Sequence, residues 1–301
     1  MSYARFLEEG SLAIFLFHGV IKKNPCRIRN YTRKHLLLDE FSEVIKSLTG
    51  SGTPVSMDDV IYYHNAGEAP PPRAFAVTFD DGFENNLKVA APVLADFNIP
   101  TTFYITTDFI DRNIMSWTDR IEWAFEEAGT IRIAVPWDPE YRTARSDTEK
   151  RALLDDIRLH VKKDLSIDTQ FLATDLQQQI GFPEVWSGDG PLDQKLTWSQ
   201  VQELRDQNNN IIGGHSHTHA ILSALKKTEL DQEVHTSLKF IRDHVDPAPV
   251  HYSYPEGLAH CFNETVIATL KFNGIRCAPS AISGVNTSAE DLFHLKRITV
   301  V

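Results

Sequence analysis

The sequence predicts an α/β protein: a (β/α) barrel of parallel strands and covering helices, distorted or incomplete, interrupted by a largely helical insertion. Three observations carry this expectation. Short apolar runs of strand length alternate with amphipathic runs of helical period, which implies strand-helix units and parallel strands. The conspicuous polar residues all follow strand-like runs: His18, Asp80, Asp81, His215, His219 and the loop at Pro255. Such positions share one rim of a barrel, although an open doubly wound sheet also gathers its site at strand ends. Between residues 111 and 195 the alternation breaks and helical patterns dominate.

Taken in order, Leu12–Phe17 is an apolar run that reads as a buried strand. Thr32 is placed to cap a helix over 33–48, with Leu36, Leu37, Phe41, Val44, Ile45 and Leu48 on its apolar face. Ser56 caps a short helix over 57–63, and Pro70-Pro71-Pro72 is a rigid spacer into a strand at 74–79. A helix over 83–97 follows, and Pro100 opens a strand at 101–105. In the irregular stretch, 118–128, 146–161 and 168–180 read as helices, 131–135 as a short strand, and 186–192 as a loop. This stretch is expected to cover one side of the scaffold, either as the wall of a substrate groove or as a peripheral cap.

Alternation then resumes. Thr197 and Gln200 form a capping box for a helix reaching Leu204. A strand at 210–214, a helix at 228–244, a strand at 250–254, a helix at 262–272 and strand-like runs at 274–278 and 292–300 complete the chain. The expectation is one domain over 1–301 with 111–195 inserted in it.

The 301 residues are 42% hydrophobic, enough to bury a large core. The net charge of -11, from 41 acidic and 30 basic residues, leaves no basic footprint and argues against nucleic acid as a partner. Cys26, Cys261 and Cys277 are too few and too scattered for a disulfide framework or a cysteine-rich zinc site. They read as thiols of a reducing compartment, with one disulfide as the alternative. No run reaches the length of a membrane span. The apolar run after residue 11 lacks the features of a secretory leader, so the expected location is cytoplasmic.

His215-Ser216-His217-Thr218-His219 puts three imidazoles in five residues after the apolar run Ile211-Ile212-Gly213-Gly214. Ala76-Val77-Thr78-Phe79 ends in Asp80-Asp81-Gly82, and paired carboxylates at the end of a buried strand are costly unless a positive charge meets them. His215 and His219, four apart, fit one side of a tight loop, and Asp81 supplies a third, oxygen ligand. Two imidazoles and a carboxylate form a catalytic set for one divalent ion with a position left for water. Zn2+ is expected, and iron, cobalt, nickel or manganese fit the same ligands. His217 is the alternative ligand. Asp80 then serves as the general base, and Gly82 permits the tight path after the pair. Phe83, Trp117, Trp186, Trp198 and Tyr254 are candidates to stack on a ligand ring, each with an alternative as core.

Thr78-Phe79-Asp80-Asp81-Gly82 together with His215-Ser216-His217-Thr218-His219 resembles the polysaccharide deacetylase family, the NodB-homology esterases of carbohydrate esterase family 4. The resemblance covers roughly 12–20, 74–110 and 196–300, and the middle stretch carries no family motif. It implies a distorted (β/α) barrel of the NodB-homology type and a single deacetylase-like catalytic domain. It implies Asp80 as the general base, and Asp81, His215 and His219 as metal ligands. The implied reaction is hydrolysis of an N-acetyl group from an amino sugar in a glycan or glycan precursor. O-acetyl, formyl or non-sugar amide substrates, or a carbohydrate-binding protein with impaired turnover, are the alternatives.

A third family motif departs from its usual form: Ser253-Tyr254-Pro255-Glu256-Gly257 stands where many members have Arg-Pro-Pro-Tyr-Gly. The arginine that steadies the base is therefore missing at Ser253, and Arg297 is the candidate replacement. The backbone amide of Glu256 takes the oxyanion role, with Tyr254 beside it toward substrate. His18, in a His-Gly-Val setting, and His294, near the chain end, are the candidates for the acid or for substrate binding.

Overall fold

The computed structural model describes residues 3–182, 185–207, 209–246 and 248–301. The readings that touch Met1, Ser2, Pro183 and Glu184, at the chain start and inside the 111–195 stretch, lie outside the described residues.

The first elements are β1 (Leu12–Phe17), β2 (Gly19–Ile21), β3 (His35–Leu37), α1 (Leu38–Thr49), β4 (Thr53–Pro54), α2 (Met57–Ala66) and β5 (Ala74–Phe79). Next come α3 (Ala91–Asp96), β6 (Thr101–Ile105), α4 (Thr107–Arg112), α5 (Trp117–Glu127), β7 (Ile131–Val135), β8 (Asp138–Ala144), α6 (Asp147–Lys163) and α7 (Thr169–Ile180). The last are α8 (Trp198–Arg205), β9 (Ile211–Gly214), α9 (Lys227–His244), α10 (Glu264–Phe272) and β10 (Ile298–Thr299).

The main sheet runs β10-β1-β5-β6-β9, with β4 added beside β5, and every pairing is parallel. β1, β5 and β6 are buried at every position. This is why their sequences are unbroken apolar runs and do not alternate: a parallel sheet is covered on both faces. Beyond β9 the ring closes through irregular backbone. Ser253 N–H donates to the Gly214 carbonyl, Tyr252 N–H to Cys277, Ser280 N–H to Leu295 and Arg297 N–H to Ile282. β10 then returns to β1. The protein is a distorted (β/α) barrel, a parallel core flanked by helices.

Strand periodicity sorts the core. Ala13, Phe15 and Phe17 of β1 and Phe75, Val77 and Phe79 of β5 pack with α1, α3 and α8. Leu12, Ile14, Ala74 and Ala76 pack with α2, α9 and α10. Phe17, Phe79 and Phe103 stack at 5.3 Å between successive ring centroids, directly under the strand ends that carry the site. Each fully buried phenylalanine contributes about 1.5–3 kcal/mol, so the ends of β1, β5 and β6 are firmly held. A separate apolar cluster joins Ile28 to residues of α5, β7, β8, α6 and α7.

Several expected elements differ. The helix expected from residue 33 starts at Leu38, because His35–Leu37 pairs with Gly19–Ile21 as a strand. The helix expected over 83–97 is broken: Phe83 bridges to Lys195, Asn86–Ala90 is a π-turn, and regular helix begins only at Ala91. Pro92 there has no N–H to give the carbonyl four residues back. The expected strands at 250–254 and 274–278 reduce to the bridges of Tyr252 with Gly214 and His251 with Cys277. Of 292–300 only Ile298–Thr299 is strand. Asn286 takes the place of a strand neighbour there: its side chain accepts from Lys296 N–H at 2.8 Å and donates to the Lys296 carbonyl at 2.9 Å. β8 was not expected, since Asp138–Ala144 is mostly polar and exposed. The three cysteines are free thiols. Among the described residues no helix is long and apolar enough to cross a membrane.

Candidate metal centre and active-site cleft

The site is built where β5 and β9 end. Asp80 still follows the sheet, its N–H donating to the Phe17 carbonyl at 3.0 Å. Asp81 then turns sharply, with φ of 77°, and Gly82 follows with φ of 84°. Adjacent side chains on a strand point to opposite faces, and this turn lets both carboxylates reach the rim. The left-handed conformation costs a non-glycine residue about 1–3 kcal/mol, a strain localised at the site. A Cβ on Gly82 would lie 2.8 Å from Ile110 Cδ1, so this position excludes a side chain as well as favouring glycine.

At the end of β9, the rings of Tyr104 and Tyr252 fill the space that side chains on Gly213 and Gly214 would need. The histidine loop turns on Ser216 and His219, at φ of 65° and 63°. The Glu233 carboxylate, from α9, accepts from the N–H of His217 and Thr218 and from Thr218 Oγ1 at 2.6–3.0 Å. The first N–H groups of α4, on Thr107 and Asp108, donate to the carbonyls of Ser216 and His217. These helix-end donors otherwise lack partners, so the same bonds finish the helix and fix the loop.

Asp81, His215 and His219 offer ligand atoms that all lie within 4.8 Å of one another. His215 Nε2 is 3.7 Å and His219 Nε2 3.4 Å from Asp81 Oδ1. His215 Nδ1 lies 2.9 Å from the Ser253 carbonyl. A carbonyl only accepts, so Nδ1 carries the proton and Nε2 presents its lone pair. Burial pushes the His215 pKa down to about 4, which keeps the ring neutral. For His219 burial acts the same way, but the adjacent Asp81 carboxylate outweighs it and raises the pKa. Asp81 Oδ1 is buried with no hydrogen-bond partner. An orphaned carboxylate oxygen facing two imidazole nitrogens fits one divalent ion.

The other oxygen of Asp81 is engaged. Lys34 Nζ stands 3.0 Å from Oδ2 and 3.4 Å from Asp119, on α5. Lys195 Nζ lies 3.8 Å from Asp119, and both ammonium groups face the Phe83 ring. For Lys34 burial favours the neutral form, but Asp119 and Asp81 outweigh it and raise the pKa above the usual lysine value. At Lys195 burial prevails and lowers the pKa to about 8.

Asp80 has different company. Arg297 grips both of its oxygens at 2.8 Å, and Arg297 Nη2 also donates to Ser253 Oγ at 2.7 Å. Burial raises the Asp80 carboxyl, but the charge of Arg297, His215 and the Arg297 hydrogen bonds outweigh it and hold it below its ordinary value. Asp80 Oδ2 is 3.8 Å from His215 Nε2, beside the ligand cluster.

The cleft above these groups has a volume of ≈ 340 Å³, and its lining includes His18, Lys34, Trp117, Arg158, Lys162 and Glu256. Burial keeps the His18 imidazole below its usual pKa, hence neutral. A second chamber of ≈ 500 Å³ shares Trp117, Lys162, His219, Glu256 and Leu258 with it. Glu256 has φ of 58°, and its N–H meets no acceptor among the described residues. Lys162 Nζ lies 3.6 Å from its carboxylate.

Two expected site residues are elsewhere. Tyr254 is fully buried, stacked on Phe262 at 4.2 Å, with its hydroxyl donating to the Phe293 carbonyl. His294 is half-exposed beside Asp291 and does not line the cleft. The irregular backbone before β10 turns it away. His217 faces α4 and α9, with Nδ1 at 2.9 Å from Thr107 Oγ1 and its ring against Phe240. Of the aromatic candidates only Trp117 lines the cleft. Phe83 is covered by the two lysines, Trp186 by Arg120, and Trp198 stacks on His244. Sequence reasoning missed Lys34, Asp119, Lys195 and Glu233. None sits in a motif, and each reads as an ordinary charged residue of a loop or helix.

Solved structures with the same fold include the Streptococcus pyogenes deacetylase PplD in complex with acetate, at 14% identity and a TM-score of 0.63 over 97% of this chain and 93% of that one. IcaB from Ammonifex degensii matches at 15% identity and a TM-score of 0.62, over 98% and 94% of the two chains. The BpsB deacetylase domain from Bordetella bronchiseptica matches at 17% identity and a TM-score of 0.57, over 97% and 96%. No curated protein sequence matches the chain. The sequence model of the polysaccharide deacetylase family matches residues 67–278, which include Asp80, Asp81, His215, His219 and Glu256. The chain belongs to the polysaccharide deacetylase family.

Proposed function

We propose that the protein is a metal-dependent hydrolase that removes the N-acetyl group from an amino sugar in a glycan or glycan precursor. The observation that carries this reading is the bidentate pairing of Arg297 with Asp80 beside the three-ligand cluster. Position 253 lacks the arginine usual in the family, and a guanidinium from the opposite end of the chain stands against the same carboxylate. A carbohydrate-binding protein with impaired turnover has no need of an ion-paired base next to a metal site.

A divalent ion held by Asp81, His215 and His219 supplies Lewis acidity toward water and the acyl oxygen. Asp80, kept anionic by Arg297, takes the proton of the attacking water. The free N–H of Glu256 is a donor for the developing oxyanion. As the C–N bond breaks, protonated Asp80 returns its proton to the leaving amine, giving a free amine and acetate. Neutral His18 is no proton source near neutral pH, so its role is to hydrogen-bond substrate. Trp117 offers a face to the sugar ring. Residues 111–195 form an insertion whose α5 and α6 wall the cleft through Trp117, Arg158 and Lys162.

The test is acetate release by zinc-reconstituted protein from N-acetylated oligosaccharides, sugar nucleotides and lipid-linked acetamido sugars, with O-acetylated and formylated sugars as comparison. Stoichiometric acetate and free amine from an N-acetylated member supports the reading. Hydrolysis confined to esters or formamides rejects it.

A further inference from the structure

Asp81 is divided between two partners. Its Oδ1 faces His215 and His219 and is otherwise unpaired, whereas its Oδ2 meets the Lys34 ammonium at 3.0 Å. Lys34 is held in turn. Its side chain is only 18% exposed, its Nζ lies 3.4 Å from both Asp119 oxygens, and it stands 4.8 Å over the Phe83 ring. Lys195 braces Asp119 from beyond. An ammonium confined this way is costly unless both carboxylates keep it charged and oriented. Lys34, Lys195, Asp81 and Asp119 balance as two positive and two negative charges, so the charge of the ligand carboxylate is already cancelled before any ion arrives.

We propose that Lys34 is a positioning residue of the metal centre: it occupies Asp81 Oδ2, restricts Asp81 to one-oxygen ligation, and weakens the carboxylate as a donor. This rests on the metal-site reading above. An ion held by Asp81, His215 and His219 would then be bound more loosely and would be the stronger Lewis acid. Hydrogen-bonded carboxylates beside metal ligands ordinarily raise donor strength, and a cation in that place does the reverse. Asp119 gives α5 a direct role at the metal centre in addition to walling the cleft.

The proposal separates from a merely structural role by the direction of one effect. If Lys34 only supported the fold, its removal would loosen the metal site. If it restrains Asp81, its removal tightens metal binding while turnover falls. The probe is Co2+ alone, whose visible absorption is intense when four-coordinate and weak at higher coordination. Wild type, Lys34→Met and Lys34→Arg are titrated with Co2+ against a chelator, with thermal unfolding recorded for each. Lys34→Ala, which leaves both Asp81 Oδ2 and Asp119 without the ammonium, replaces Lys34→Met should the latter not fold.

The expected result is Co2+ affinity about tenfold higher in the uncharged variant, with weaker bands as the second Asp81 oxygen joins the ion. Lys34→Arg should stay near wild type in both readouts. Unchanged or reduced affinity with an unchanged spectrum in a folded uncharged variant overturns the proposal. A wild type that binds no Co2+ is a separate outcome: it rejects the metal centre itself, and the Lys34 role with it.

Discussion

Asp80 and Asp81 are neighbours in sequence, equally buried, and placed in opposite electrostatic regions of the molecule. On the barrel-interior side, Asp80 meets a guanidinium that fills both of its oxygens, supported by Ser253. On the flank facing α5, Asp81 meets an ammonium on one oxygen only, through the tier Lys34, Asp119 and Lys195. The difference teaches how one residue type yields two roles. A fully paired carboxylate is a poor ligand but stays anionic, as the proposed base must. A half-paired carboxylate has one oxygen left for an ion. Guanidinium does not lose its proton in proteins, whereas a buried ammonium does, so the two sides should also respond differently to pH.

The largest expected effect breaks the interior side. Asp80→Asn should lower kcat by about 10³-fold while leaving metal content near one ion per chain, measured by acetate release and metal analysis. Next comes Arg297→Met, which strands Asp80 as an unpaired buried charge. It should cost about 3–5 kcal/mol in denaturant unfolding. The Asp80 pKa is lower in the folded than in the unfolded chain. Its stabilising contribution is therefore present above the unfolded pKa and lost as pH falls through the folded one. Removing Arg297 removes that contribution, so acid unfolding of the variant should begin at higher pH.

The flank gives a smaller effect of opposite sign. Lys195 titrates at about 8 when folded and near 10.5 when unfolded. Between those values the unfolded chain binds more protons, so wild-type stability should rise as pH increases through that window. Lys195→Met should flatten the rise, read from urea unfolding at a series of pH values. An unchanged pH slope would sink the assignment of a strained ammonium to this tier. Smallest of all is Tyr254→Phe, which loses one buried hydrogen bond to the Phe293 carbonyl. It should cost about 1 kcal/mol and leave kcat/KM unchanged. A large loss of kcat/KM would return Tyr254 to the substrate side.

The barrel was legible because β1, β5 and β6 are buried at every position and read as continuous apolar runs. The closing segments were over-read as strands, since their apolar residues are buried while side chains such as Asn286 supply the bonds of a ladder. β3 was read as the start of α1 because Leu36 and Leu37 fit a helical face as well as a strand, and only pairing with β2 decides. At the site, spacing alone singled out Asp80, Asp81, His215 and His219. Arg297 was reachable only as a replacement for a missing arginine. Lys34 and Asp119 had no signal at all: their meeting depends on how α5 docks against the loop before β3, over 85 residues of separation.

The most direct measurement is metal content and acetate release on the same preparations of wild type, Asp80→Asn and Asp81→Asn. Wild type should hold one ion and release acetate, Asp80→Asn should hold one ion and release almost none, and Asp81→Asn should lose both. Tight metal binding by Asp81→Asn, or wild-type acetate release by Asp80→Asn, would contradict the division of the two carboxylates into ligand and base.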